Sequence, residues 1–372
     1  GISMFKRYFK LCPIIICVIA IMSHNVFGQN IYTNGKSEIV IDVESGRVLH
    51  QKNIHQQLPM ASTTKIMTAL LAIENTSLQN KIRIHPDAEG IEGSSIFLKA
   101  NETIKMIDLV YGLMLRSGND AATAIAYEVA GSVEEFAELM NKRAKQLGAN
   151  NTNFVNPHGL NHDNHYTTAY DLSLITREAL KNKIFKEVVK TKFWLAQRDG
   201  YQHFANKNKI LNICEGGDGV KTGYTKVSGR CLVASATRKN MQFIAITLDD
   251  PNWFDNADKL LNHCFEKYQP YMVFQEGEIV KNIRVKNGDK ETLPLIPCIN
   301  LIIPIQDSEI GEIVSIIHAP KVILAPIMQN QQVGKIKTYL NGQLISSVDL
   351  LAGESIKVLK IKDKILNFFR II

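Results

Sequence analysis

The chain has little cysteine for its length and, away from its two ends, almost no net charge. Six cysteines occur in 372 residues. Those beyond the N-terminal segment are widely and irregularly spaced: Cys214, Cys231, Cys264 and Cys298. This spacing matches neither a zinc motif nor a small disulfide scaffold, so we interpret these cysteines mainly as small buried residues.

The net positive charge is confined to the ends of the chain. The formal net charge is +7, of which the first 28 residues contribute three charges and residues 356–372 contribute the other four. The remaining body is therefore close to neutral. A near-neutral body lacks the basic surface that nucleic-acid binding requires, so we expect no nucleic-acid partner.

Residues 1–28 have the pattern of a secretory signal peptide. Basic residues precede an apolar run at 11–22, and mostly small or polar residues follow it. This order is typical of an export signal, with cleavage expected near Gln29. The run of about twelve apolar residues is shorter than the ~20 that a spanning anchor needs. Residues 1–3 precede the first methionine, and we interpret them as a candidate cloning remnant.

Residues 29–272 are expected to form an α+β catalytic domain. Two strands are expected around a turn, at 38–43 and 47–50. Helical periodicity then recurs at 64–73, 107–115, 121–130, 133–147 and 168–179. Strand patterns return at 220–224, 231–237 and 243–248. Strands on both sides of a helical block are expected to meet in one sheet.

The remaining chain predicts a small all-β domain at 273–355 and an amphipathic helix at 356–372. Asn287-Gly288 and Asn341-Gly342 lie between strand-like runs and favour hairpins. In the tail, apolar residues recur at helical spacing with lysines mostly between them. This pattern favours a helix lying in a membrane interface. The alternative is a terminal helix that packs on its own protein.

Ser62 and Lys65 form the first candidate catalytic pair. They lie three residues apart at the predicted start of a helix, where such residues share a face. A serine hydroxyl needs a neighbouring base to become a nucleophile, and a lysine amine beside it supplies one. Alone, this spacing is common on helix surfaces and carries little weight.

Two further motifs add to this pair. Ser117-Gly118-Asn119 is expected in a loop between two helices, where Ser117 can relay a proton and the Asn119 amide can hold a substrate amide. Lys221-Thr222-Gly223 is expected on a strand, where lysine and hydroxyl bind a carboxylate and glycine leaves room for a ligand. The three motifs in this order, in an exported chain, indicate an acyl-transfer site.

In these motifs the chain resembles the D-alanyl-D-alanine carboxypeptidases, which are low-molecular-mass penicillin-binding proteins. The resemblance covers essentially the whole chain after the signal. It implies an antiparallel sheet with a helical block, as in the penicillin-binding and β-lactamase-like transpeptidase domain. The resemblance rests on the following segments: 61–68, 116–120, 154–160, 165–172 and 218–225.

The resemblance implies removal of the terminal D-alanine from peptidoglycan stem peptides through a Ser62 acyl-enzyme, with β-lactams trapped at that stage. It assigns catalysis to Ser62, Lys65 and Ser117, and the oxyanion hole to the backbone N–H groups of Ser62 and Tyr224. No cofactor or metal is implied. The substrate-binding residues that it implies are Asn119, Lys207, Lys221, Thr222, Gly223, Tyr224 and Thr225. The enzyme is expected on the extracytoplasmic face of the cytoplasmic membrane.

Some features of the expected pocket depart from the family pattern or lie at its edge. Ser94 and Ser95 are candidates for the pocket rim. No second carboxylate-binding arginine is recognisable after the strand that contains Phe243.

Three other functions share part of this pattern. A class A β-lactamase uses a glutamate to activate water, and the segment 154–172 has none. A zinc peptidase is suggested by His158, His162 and His165, but they lie in an Asn-, Asp- and Gly-rich loop and lack the spacing of a regular element. A non-enzymatic wall-binding protein has no need of the nucleophile, base and relay residues that are present.

Overall fold

The structure is a computed structural model that describes residues 31–359. Its first part contains one main sheet and a block of helices, as the sequence predicts. The helices are α1 (Lys65–Asn75), α2 (Met106–Leu115), α3 (Asn119–Ala130), α4 (Val133–Gln146), α5 (Ala169–Ala179), α6 (Lys183–Lys190), α7 (Ile210–Ile213) and α8 (Trp253–Lys267). The strands up to α8 are β1 (Ser37–Asp42), β2 (Val48–Lys52), β3 (Lys81–Arg83), β4 (Thr103–Lys105), β5 (Phe193–Leu195), β6 (His203–Ala205), β7 (Gly217–Thr225), β8 (Gly229–Arg238) and β9 (Met241–Leu248).

The main sheet joins strands from both ends of this part of the chain. Its order is β2-β1-β9-β8-β7, and all its neighbours are antiparallel. Residues of β1 are buried along its whole length, and those of β9 almost so. Both faces of the sheet are therefore covered, with α5 contacting β1 and β9, and α8 contacting β8 and β9. This confirms the predicted α+β class and the meeting of sequence-distant strands.

Helix α8 was missed in the sequence-based prediction, which assigned no element between the strand at 243–248 and residue 272. Its sequence does carry the helical signal, because Ala257, Leu260, Leu261 and Cys264 recur at spacings of three and four residues and are buried. The short helix α6 was missed too. Asn182 caps α6 by accepting hydrogen bonds from the backbone N–H groups of Ile184 and Phe185.

The second part of the chain is all β, as predicted. Its strands are β10 (Gln269–Phe274), β11 (Lys281–Lys286), β12 (Thr292–Pro297), β13 (Leu301–Ile305), β14 (Ile313–His318), β15 (Val322–Leu324), β16 (Gln332–Leu340) and β17 (Gln343–Ala352). Six of them form a sheet of order β14-β16-β17-β12-β11-β15, and β10 pairs with β13. Asn341 and Gly342 both have positive φ and connect β16 to β17, which confirms this hairpin prediction.

Both predicted limits of the β part need correction. Strand β10 begins at Gln269 and pairs with β13, so the expected boundary after residue 272 falls inside a strand. At the other end, Ile356 and Val358 form β-bridges with Ile327 and Gly288. The predicted helix at 356–372 is therefore wrong for residues 356–359, which are not helical. The rest of the predicted tail helix, like the signal segment, lies outside the described residues.

Of the cysteines beyond the N-terminal segment, Cys214, Cys231 and Cys264 are buried thiols, as expected, and Cys298 is partly exposed. Within residues 31–359, no helix combines the length and apolar character needed to cross a membrane.

Candidate active site

The Ser62 hydroxyl and the Lys65 amine lie side by side at the start of α1. Residues 61–64 form a 3-10 turn that leads directly into the helix. Lys65 Nζ is 2.9 Å from Ser62 Oγ. It also lies 2.7 Å from Asn119 Oδ1 and 2.6 Å from the carbonyl oxygen of His158. The structure thus brings the first motif together with Asn119 of the second.

Burial makes Lys65 suited to act as a base. Its side chain is fully buried, and this burial, together with the nearby Lys221 ammonium, holds the Lys65 pKa well below the ordinary value. A neutral amine has two N–H groups and one lone pair. The Asn119 and His158 oxygens accept hydrogen bonds only, so they take the two N–H groups. The lone pair then faces Ser62 Oγ, which is the one oxygen of the three that carries a proton.

Ser117 lies in the predicted loop between α2 and α3. Its φ is +63°, and its hydroxyl lines the same cavity as Ser62. A serine in this backbone region is uncommon and is typical of functional sites.

Asn119 begins α3 and contacts Lys65 instead of lining the cavity. Its Oδ1 accepts from Lys65, and its Nδ2 donates to the carbonyl oxygen of Glu92 at 2.6 Å. These two contacts fix the position of the base. An amide NH2 group has two N–H donors, so they leave one for a substrate, and the expected contact with a substrate amide stays a prediction.

The third motif lies on β7, the strand at one edge of the main sheet. Lys221 is buried, and its burial and the Lys207 cation lower its pKa to about 7. Lys221 Nζ donates to the carbonyl oxygen of Thr222 at 2.9 Å. Within residues 31–359, no hydrogen bond joins Lys221 Nζ to Ser117 Oγ.

Gly223 permits β7 to approach the nucleophile closely. A Cβ at this position would lie 2.8 Å from the Ser62 nitrogen and 3.1 Å from the Thr63 nitrogen, both backbone atoms that cannot move aside cheaply. The sequence predicted that this glycine leaves room for a ligand, whereas the structure shows the backbone of the catalytic turn in the space beside it.

Ser62 opens into a cavity of about 490 Å³. Most of the expected binding residues line it, together with residues that the sequence did not suggest. Lys207 Nζ lies 3.4 Å from Ser94 Oγ at its rim, as expected for both residues. The lining residues are Ser62, Ser94, Ser117, Lys207, Lys209, Thr222, Gly223, Tyr224, Arg230, Trp253 and Phe254. Ser95 does not line the cavity, and its hydroxyl donates a hydrogen bond to the Asp120 carboxylate.

Arg230 is the notable addition to the expected set. It lies on β8 directly opposite Tyr224 of β7 in the antiparallel ladder. Opposed residues place their side chains on the same face, so the guanidinium reaches the cavity beside Tyr224. Arg230 thus brings a guanidinium to the cavity from the strand before the one that contains Phe243. The β7–β8 register, which the motifs do not state, brings it there.

Thr225 does not line the cavity. Its hydroxyl and backbone N–H both bond Ser228 Oγ, at 2.8 and 3.0 Å, in the turn between β7 and β8. These contacts give Thr225 a structural role in this hairpin, and its implied contact with the substrate backbone stays a prediction.

The chain matches two family models in sequence. Residues 26–252 match the model described as D-alanyl-D-alanine carboxypeptidase. Residues 268–358 match the C-terminal domain of penicillin-binding protein 5.

Similar proteins span nearly the same length. D-alanyl-D-alanine carboxypeptidase DacF of Bacillus subtilis is 32% identical over 342 residues, which cover 87% of this chain and 86% of that protein. D-alanyl-D-alanine carboxypeptidase DacA of Haemophilus influenzae is 32% identical over 332 residues, covering 84% and 82%. The crystal structure of penicillin-binding protein 5 from Haemophilus influenzae has a TM-score of 0.71 and 28% identity, covering 89% of this chain and 99% of that one.

These matches confirm the expected fold and the expected activity, that of a serine-type D-Ala-D-Ala carboxypeptidase. A family model that covers more than half of the chain and two relatives at 32% identity agree with the site geometry described above. The chain belongs to the D-alanyl-D-alanine carboxypeptidase family.

Proposed function

We propose that Ser62 is the acylated nucleophile and Lys65 its general base in the hydrolysis of peptidoglycan stem peptides that end in D-Ala-D-Ala. The observation that carries this proposal is the fully buried Lys65, whose three oxygen neighbours include one that can donate a proton. Lys65 Nζ accepts the Ser62 proton while Ser62 Oγ bonds to the carbonyl carbon between the two D-alanines.

The developing oxyanion is held by backbone N–H groups of Ser62 and Tyr224. The close approach of Gly223 to the Ser62 nitrogen brings β7 beside that group, which supports this pairing. Losing one such donor typically costs about 10²–10³ in rate.

Ser117 and Lys221 supply the proton that the departing D-alanine amine needs when the C–N bond breaks. Lys221 suits this role because its pKa of about 7 makes its proton available near neutral pH. Ser117 faces the same cavity as the nucleophile and completes the path. Water then hydrolyses the Ser62 ester. β-Lactams acylate the same hydroxyl and occupy the site as covalent inhibitors.

The substrate carboxylate is bound at the cationic end of the cavity. Thr222, Lys207 and Arg230 line this region, and a guanidinium pairs with a carboxylate through two parallel hydrogen bonds. Arg230 thus takes the role of the arginine that the sequence after the Phe243 strand does not supply.

Release of D-alanine from a pentapeptide and mass spectrometry of the penicilloyl adduct test this mechanism. Ser62→Ala should abolish both D-alanine release and the adduct. Ser77→Ala, at an exposed serine two residues beyond α1, is the matched control and should keep both. An adduct that persists in Ser62→Ala would assign the nucleophile elsewhere.

We further propose that residues 1–28 direct export and that the tail holds the enzyme peripherally at the membrane. The chain is then divided into a catalytic domain, a β domain and an anchor. The tail after residue 359 keeps the apolar spacing and most of the lysines on which the anchor prediction depends. Truncation after Leu359 leaves both β-bridges of residues 356 and 358 intact and should release the protein from membranes. Continued membrane association of this truncated protein would contradict the anchor.

A further inference from the structure

A buried hydrogen-bond chain connects His165 to the residue before the nucleophile. His165 Nδ1 lies 3.0 Å from the backbone nitrogen of Val155, and its Nε2 lies 2.8 Å from Thr64 Oγ1. Thr64 Oγ1 is in turn 2.8 Å from the carbonyl oxygen of Ala61. The side chains of His165 and Thr64 are almost completely buried. Neither residue has a part in the mechanism above.

The direction of every bond in this chain is determined by its ends. The Val155 N–H can only donate, so His165 Nδ1 accepts and the proton of the neutral imidazole is on Nε2. Nε2 then donates to Thr64 Oγ1, which leaves the threonine proton for the Ala61 carbonyl. Aligned hydrogen bonds of this kind polarise one another.

The end of this chain is the peptide group that contains the Ser62 N–H. The Ala61 carbonyl and the Ser62 N–H belong to one planar trans peptide, so fixing the direction of one fixes that of the other. Gly159 packs on the same group, since a Cβ there would lie 1.9 Å from the Ala61 oxygen. Ala61 itself has a φ of +48°, an unfavourable conformation that needs such support.

We propose that His165 is a positioning residue that acts through Thr64 on the Ala61–Ser62 peptide and so aims and polarises the Ser62 N–H at the oxyanion. This inference rests on the proposed role of Ser62. It predicts that breaking the chain weakens stabilisation of the acyl carbonyl more than it weakens binding of the substrate.

Thr64→Val removes the hydroxyl at nearly constant volume, and Thr64→Ser is its matched control because serine keeps the hydroxyl. His165→Leu and His165→Gln form the second pair, since a glutamine amide can accept from Val155 and donate to Thr64. Each full-length variant is acylated with benzylpenicillin, and the acylation rate constant and the preceding dissociation constant are measured separately. The infrared stretching frequency of the acyl-enzyme ester carbonyl is then recorded, because it reports only on molecules whose site has been acylated.

Thr64→Val and His165→Leu should slow acylation by about 10–100-fold, less than complete loss of an oxyanion donor, with little change in the dissociation constant. Their ester carbonyl should absorb at higher frequency, because a weaker hydrogen bond polarises it less. Thr64→Ser and His165→Gln should restore most of both signals.

An unchanged carbonyl frequency in Thr64→Val, with the adduct mapped to Ser62, would overturn this inference while leaving the proposed nucleophile in place. An adduct mapped away from Ser62 in the unsubstituted enzyme would instead overturn the proposed function. The two failures are therefore distinguishable by mass spectrometry of the same samples.

Discussion

Asn119→Asp should convert the Lys65 base into a group that works only at alkaline pH. The substitution preserves side-chain shape but places a carboxylate oxygen where the amide oxygen now lies, 2.7 Å from Lys65 Nζ. In the unsubstituted enzyme, burial and neighbouring cations lower the Lys65 pKa, which favours the neutral amine. A carboxylate at this distance stabilises the ammonium form and raises that pKa.

The size of the effect follows from this distance. At 2.7 Å and an effective dielectric constant of about 20, two unit charges interact by about 6 kcal/mol. Burying the new carboxylate opposes part of this energy, and opposite charges in folded proteins typically shift a pKa by about 1–3 units. Each unit by which the Lys65 pKa lies above the pH removes a factor of ten from the neutral fraction of Lys65. Acylation at pH 7 should therefore fall by up to about 1000-fold.

The assay is the rate of acylation by a fluorescent penicillin across pH, expressed as the ratio of variant to unsubstituted enzyme. This ratio cancels pH effects that both proteins share. It should rise by about tenfold per pH unit on the alkaline side, until Lys65 is again neutral. Asn119→Ala is the control, because it also loses the contact with the Glu92 carbonyl but adds no charge. A ratio for Asn119→Asp that stays flat with pH would refute the assignment of Lys65 as base.

Three further predictions follow from single contacts. Acylation should decline as pH rises above about 7, because Lys221 then loses its proton. Lys207→Gln removes a cation that lowers the Lys221 pKa. A pH–rate profile of this variant should therefore show the alkaline decline in rate at higher pH, and a decline at lower pH would contradict the role of Lys221. Arg230→Gln should raise KM about fivefold for peptides with a free C-terminal carboxylate, because it removes an ion pair that contributes about 1 kcal/mol to binding. An equal rise in KM for peptides with a C-terminal amide would argue against carboxylate binding by Arg230. Arg47→Ala removes the hydrogen bonds of Arg47 to Glu309 and to the Pro304 carbonyl oxygen. It should lower the free energy of unfolding, measured by urea titration, by about 1–3 kcal/mol. An unchanged free energy of unfolding would mean that these contacts do not stabilise the fold.

The parts of the site that depend on local sequence were predictable. Ser62 and Lys65 were expected to share a face because they lie three positions apart, and Ser117 follows an apolar helix that ends at Leu115. Both inferences rest on residues close to the motif, where helix periodicity is informative. Gly223 was expected to leave room for a ligand, whereas the structure places the Ser62 nitrogen, from a distant part of the chain, against that glycine.

The parts that depend on contacts outside the motifs were not predictable. The contacts of the Asn119 amide with Lys65 and the Glu92 carbonyl join residues that lie 54 and 27 positions apart along the chain. Arg230 faces the cavity because β8 pairs with β7 in a particular register, and a shift of one residue would turn it to the other face. Neither fact can be read from the spacing of residues in one motif.

The segment 154–168 shows why its histidines were difficult to interpret. The sequence offered them as zinc ligands or as loop residues, yet the segment surrounds the catalytic turn on several sides. The carbonyl oxygens of Pro157 and His158 accept from Thr68 Oγ1 and Lys65 Nζ, both at 2.6 Å. Both ring nitrogens of His165 are already hydrogen bonded, to Val155 and Thr64, and a metal would have to break one of these bonds. The segment therefore serves the reaction by holding the base and the turn in place, chiefly through backbone atoms that leave no sequence signature.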